Sequence, residues 1–76
     1  MAKRRWSASE AAIRILRGDV GEHFSVERTR GWVRLERTAT GVVVTGPDGS
    51  SVTYPDPVDY LQVQQQIKDV GGDFVG

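Results

Sequence analysis

Cysteine is absent from the chain, so neither a disulfide nor a thiolate-held metal supports the fold. Histidine occurs once, at His23, and no His or Cys cluster has metal-ligand spacing. No apolar run approaches the ~20 residues that a membrane-spanning helix needs. The opening MAKRRWSASE has no apolar segment behind its basic residues. The expectation is therefore a soluble cytoplasmic protein without membrane contact. Aromatic residues are few, at 8%, and the hydrophobic fraction is a modest 38%. A chain of 76 residues buries only roughly 60% of its unfolded surface, so a single small core must use those side chains fully.

Net charge is lacking as well, but the zero conceals a division. Residues 1–37 hold nine Lys/Arg against five Asp/Glu, whereas residues 38–76 hold one Lys and five Asp. Such a split suits a basic face for nucleic acid, complementary patches that dock copies or partners, or mutual neutralisation within one fold.

What is present reads as helix, three strands, helix. Ser7 and Glu10 form a Ser-x-x-Glu capping box, and Trp6 stands before the cap, where it can staple onto the first turns. Ala11, Ala12, Ile13, Ile15 and Leu16 supply apolar side chains, with Ala12, Ile15 and Leu16 best at helical spacing. Gly18 is the expected stop, as a left-handed C-terminal glycine. DVGEHF is expected to be a loop or short turn with Val20 and Phe24 as packing anchors. In GWVRLERTA, Val33, Leu35 and the stem of Arg37 alternate with Trp32, Arg34 and Glu36. GVVVTGPDGSSVTY is the strongest hairpin signal: Pro47 and Asp48 suit the turn, and Gly49 can take positive φ. Closure by Gly46 and Ser50 places Val44 opposite Val52 and Val42 opposite Tyr54.

In DPVDYLQVQQQIKDVGG, Asp56 is the expected cap, Pro57 the first helical residue and Asp59 a favourable charge near the helix start. Tyr60, Val63, Ile67 and Val70 give a helical stripe, and Gly71-Gly72 stop it. Leu61, Val63 and Ile67 also fit an alternating strand pattern, but the Asp-Pro start and double glycine favour a helix. The predicted class is α+β: two helices on one face of a three-stranded antiparallel sheet, in the order α-β-β-β-α. One domain spans 1–76, with a flexible basic arm at 1–6 and a loose tail at 73–76 whose Phe74 and Val75 can order on binding.

Catalysis is not expected. His23 beside Glu22 suits a surface loop, while Asp48, Asp56 and Asp59 already have turn or capping roles. GPDGSS joins two strands, whereas a phosphate-cradling loop runs from a strand into a helix with Lys following. No nucleophile has an evident base and orienting partner, and no cofactor or small-molecule substrate is implied.

Binding is the remaining class, and RTRGWVRLERT is its best candidate. Its inward side, Val33 and Leu35, belongs to the core. Arg28, Arg30, Trp32 and Arg34 form the candidate partner surface. The plain alternative is that arginine stems cover Trp32 and protect an edge strand from pairing. For nucleic acid, Lys3, Arg4 and Arg5 join Arg30, Trp32 and Arg34, pairing phosphate contacts with a stacking aromatic. The α-β-β-β-α order is that of double-stranded-RNA-binding domains. Those domains start their last helix with a Lys-rich grip, whereas PDPVDYLQ here is acidic and repels phosphate.

The run GVVVTGPDGSSVTYPDPVDYLQVQQQIKDVGG resembles the latter part of phage W-type head–tail joining proteins over Gly41 to Val70. Asp48-Gly49 fall in the hairpin turn, with Val52 and Tyr54 on the return strand before the second helix. The resemblance implies a virion-assembly role and a virion location. The chain departs from that family in SVERTRGWVRLERTA, long enough for an added strand, and in a Gln run where charged pairs are usual. Gln62, Gln64, Gln65 and Gln66 give the second helix a polar, uncharged outer side suited to hydrogen-bonding a partner or simply to solvent. Self-assembly, a protein partner and inhibition of another protein all remain open.

Overall fold

The computed structural model describes the backbone of residues 2–4 and all of residues 6–73. Arg5, Phe74, Val75 and the side chains of Lys3 and Arg4, all named above, lie outside the described residues. The elements run β1 (Ala2–Arg4), α1 (Ala8–Arg17), β2 (His23–Arg28), β3 (Gly31–Thr38), β4 (Gly41–Thr45), β5 (Ser51–Pro55) and α2 (Tyr60–Gly71).

Helix α1 begins at its capping box. The Ser7 hydroxyl accepts from Glu10 N–H at 3.2 Å, and the Glu10 carboxylate accepts from Ser7 N–H at 3.3 Å. Its buried face is mostly alanine: Ala8, Ala11, Ala12 and Ile15. Small side chains there allow close approach to α2 and to the sheet. Ile13 remains 39% exposed. Gly18 does end the helix, but with φ −76° rather than in the left-handed region. Trp6 reaches past the helix start and meets Phe24 edge-to-face at 5.1 Å, and the Arg14 guanidinium lies 5.4 Å from its ring.

The sheet has one strand more in its meander than the sequence suggests, and a further short strand at its edge. Its order is β1-β2-β3-β4-β5, with β1 parallel to β2 and all other neighbours antiparallel. The α+β class stands, and the order α-β-β-β-α is corrected to β-α-β-β-β-β-α. HFSVER, whose His23 and Phe24 belong to the expected DVGEHF loop or turn, pairs with β3 from His23↔Glu36 to Arg28↔Gly31. Ala2–Arg4 of the expected arm form β1. Val20, expected as an anchor, is 66% exposed, while Phe24 is buried. A parallel β1–β2 pair needs a crossover, and α1 supplies it.

The β4–β5 hairpin follows the expected register, with Val44 opposite Val52 and Val42 opposite Tyr54. Gly46 N–H donates to Ser50 O at 2.8 Å, and Gly49 takes φ +89°. Asp48 accepts from both the Ser50 amide, at 3.0 Å, and the Ser50 hydroxyl, at 2.7 Å. Those two bonds hold the Asp48 carboxyl below its ordinary value.

The helical stripe on α2 delivers Val63 and Ile67 to the core, with Tyr60 and Val70 half-buried. The start is later than expected. Asp59 is the cap, accepting from Leu61 N–H at 2.9 Å. Asp56 is held elsewhere, accepting from Arg37 at 3.1 Å while its N–H donates to Thr40 O at 2.7 Å. Both helices cover the face carrying Val26, Val33, Leu35, Val42 and Val44, so one core serves the whole domain.

Leu35 is fully buried at the middle of that core. Leu35→Ala should lower stability by about 2–5 kcal/mol, read from the urea midpoint; a loss below ~1 kcal/mol would contradict its central position. Because Asp48 is depressed in the folded state, its contribution is present above the ordinary carboxylate range and fades as pH falls through the lowered value. Asp48→Ala should flatten the acid limb of the stability–pH curve.

Candidate functional site

Period-two alternation in β2 and β3 sorts the candidate arginines onto different surfaces. In β2, Phe24, Val26 and Arg28 face the helices, while His23, Ser25 and Glu27 face away. In β3, Val33 and Leu35 face the helices, while Trp32, Arg34 and Glu36 face away. Cross-strand register sets Glu27 beside Trp32 and Ser25 beside Arg34, then Thr45 beside Arg34 and Val43 beside Glu36. The outer face is thus a band of Trp32, Arg34, Glu36, Val43, Thr45 and Thr53, and no described helix covers it. Trp32 is 39% exposed. Arg34 pairs with Glu36 at 2.9 Å along its own strand, with each side chain about a third exposed.

Arg28 is not part of that band. It is only 4% exposed and lies on the helix side of the sheet. Its Nε and Nη2 donate to Gly72 O at 3.1 and 2.8 Å. Arg30, in the turn between β2 and β3, donates from Nη1 to Asp69 O at 2.8 Å. The backbone between them joins in. Thr29 N–H donates to Asp73 O at 3.1 Å and Arg30 N–H to Gly71 O at 2.9 Å, while Asp73 N–H donates to the Thr29 hydroxyl at 2.9 Å. The last carbonyls of a helix lack intrahelical donors and concentrate partial negative charge. The hairpin tip Arg28-Thr29-Arg30 answers both needs. It clasps the C-terminus of α2 to the sheet.

The close fit has a glycine signature. A Cβ on Gly71 would lie 2.6 Å from Arg28 Cγ and 2.7 Å from Val33 Cγ2. Gly72 ends the helix with φ +79°. Burial lowers the Arg28 guanidinium below its ordinary value, and Asp73 raises it in part. Among the described residues its Nη1 is buried without a hydrogen-bond partner.

The other concavities are open and lined by polar and apolar groups alike. One, about 580 Å³, lies between α1 and β2 and is lined by Trp6, Arg14, Arg17, Glu22, His23 and Phe24, with Gly18. His23 is exposed in β2, its Nδ1 3.2 Å from Gly21 O, with no carboxylate partner among the described residues. Beside β5, Tyr54, Gln62, Gln65, Gln66 and Asp69 line a smaller groove in which Tyr54 donates to Gln66 at 3.4 Å. Among the described residues, no group of His, Cys, Asp or Glu could hold a metal ion. No described helix is long and apolar enough to cross a membrane.

Of the four residues predicted for a partner surface, Trp32 and Arg34 share the outer face. Arg30 caps a helix from the rim, and Arg28 is internal. The clasp was missed from sequence because an inward arginine looks like a break in the strand pattern. The signal available was the Gly71-Gly72 pair, which asks for a donor. No protein-family model matches the chain, and no curated protein or solved structure matches it either.

Replacing Arg28 by Met keeps the apolar stem and removes both bonds to Gly72 O. That should cost about 1–3 kcal/mol, the range for leaving a buried acceptor unpaired. Arg34→Ala should stay within about 0.5 kcal/mol of the parent, because its ion pair is solvent-screened. Urea titration of the two variants checks the contrast, and equal losses would contradict the two-surface assignment.

Proposed function

We propose that this domain is a small non-catalytic interaction module of a larger assembly, contacting its partner through the outer sheet face around Trp32 and Arg34. The observation that carries the reading is Trp32, 39% exposed on a sheet face that no described helix covers. A half-exposed indole beside a guanidinium is the pairing that protein interfaces favour at their centres. The neighbours Val43, Thr45 and Thr53 add area without net charge. A virion head–tail joint is the assembly suggested by the resemblance of Gly41 to Val70 to the W-type joining proteins. Head or tail genes beside this reading frame would support that assignment.

The nucleic-acid alternative draws on fewer side chains than the sequence offers. Arg28 is internal, Arg30 is engaged with Asp69 O, and Arg34 is paired with Glu36. A protein that holds phosphates through arginines binds more weakly as salt rises. Titration with single-stranded and duplex nucleic acid at low and moderate salt separates the readings, and tight, steeply salt-dependent binding would favour the alternative. Inhibition of another protein would use the same face.

The double variant Trp32→Ser, Arg34→Glu tests the surface. Its circular dichroism should match the parent, with a stability loss no larger than about 1 kcal/mol for surface positions. Capture of partners from extracts of the source cell should fall by on the order of 30-fold, the consequence of losing a contact worth about 2 kcal/mol. Unchanged capture, or an unfolded variant, would count against the assignment.

A further inference from the structure

Sheet order equals sequence order in this domain, and that converts the charge division of the chain into a division of the molecule. The basic stretch 1–37 builds β1, α1, β2 and nearly all of β3, whereas the acidic stretch 38–76 builds β4, β5 and α2. One edge of the sheet is therefore β1, which carries Lys3 and Arg4, with Arg14 and Arg17 on the adjoining helix lining the groove beside β2. The other edge is β5, with Asp48 at its entry and Asp69 in the groove beside Tyr54.

Among the described residues, no strand pairs with the outer edge of β5. Gly46 N–H bonds Ser50 O, and Asp56 N–H bonds Thr40 O, so the even-numbered residues of β5 turn their peptide groups toward β4. Ser51 and Thr53 then direct N–H and C=O away from the sheet. No residue of β5 is charged, and Val52 on the helix side is 37% exposed. Natural edge strands are usually protected by lysine, bulges or a covering segment. β5 has only Pro55, at its end.

We propose that copies of this chain join head to tail, with β5 of one molecule extending its sheet against β1 of the next. The second copy is the occupant because the acidic part of the molecule, with Asp48 and Asp69 flanking β5, complements the basic part beside β1, while β5 against β5 brings those aspartates of two copies together. The contact is heterologous, so it forms rings if the rotation between copies closes and filaments if it does not. This deepens the assembly reading and rests on it, using the sheet edges rather than the face of Trp32.

Sedimentation velocity of the full chain across concentration, at low and high salt, tests it. The parent should self-associate beyond the dimer at low salt, and roughly tenfold more weakly at high salt as the edge charges are screened. Thr53→Pro removes an outward N–H while sparing the β4–β5 bonds, and Thr53→Lys places a charge on the edge. Both should be monomeric with native circular dichroism; Thr53→Lys carries the test if Thr53→Pro fails to fold. Trp32→Ser, Arg34→Glu should assemble like the parent, which separates failure of this edge from failure of the face. A strict monomer at millimolar concentration, a dimer insensitive to salt, or assembly that survives Thr53→Lys would overturn the proposal.

Discussion

The structure depends on how the exposed end of α2 is satisfied. A helix terminus left against a sheet carries unpaired carbonyls, and burying them without donors is costly. Here the tip of the β2–β3 hairpin supplies those donors from two arginines and the Arg30 amide, and the Thr29 amide holds Asp73 O just beyond the helix. Because the guanidinium of Arg28 is buried on the helix side, the clasp fixes which face of β2 and β3 the helices cover. Gly71 permits the approach, since any side chain there would meet Arg28 and Val33.

From that constraint the division of the sheet follows. Val26, Val33, Leu35, Val42 and Val44 go under the helices, and Trp32, Arg34 and Glu36 are turned outward. Arginine plays three different parts within ten residues. Arg28 closes a helix from inside, Arg30 does so from the rim, and Arg34 sits on an open face with its own carboxylate partner. Residue type alone does not separate these roles; position relative to the pleat does. The meander also keeps the basic and acidic parts of the chain at opposite edges, so neutrality of the whole coexists with polarity of the molecule.

Much of this was legible in the sequence, and the omissions have physical causes. Ser7 and Glu10 marked the start of α1, and Pro47-Asp48-Gly49 set the β4–β5 register, because both are local devices whose partners lie within a few residues. Trp32 and Arg34 were placed on the outer side by alternation alone. β2 was hidden because its third inward residue is Arg28, whose partner Gly72 lies far along the chain. The β2–β3 turn, Thr29-Arg30, also lacks the usual turn residues until Gly31, which takes φ +134°. Asp56 was preferred to Asp59 as a cap for its place beside Pro57, but the Arg37 guanidinium engages it instead. β1 has three residues and pairs only through a crossover, so no local pattern reveals it.

Amide hydrogen exchange of Thr29 and Arg30 measures the clasp most directly, since Arg30 N–H donates to Gly71 O at the end of α2 and Thr29 N–H to Asp73 O just beyond it, rather than within the hairpin. Both should exchange slowly, together with the core amides of Val33 and Leu35, and both should speed up when Arg28 is replaced by Met. Exchange at the rate of an open turn in the parent protein would contradict the clasp, because α2 would then be held by its apolar stripe alone.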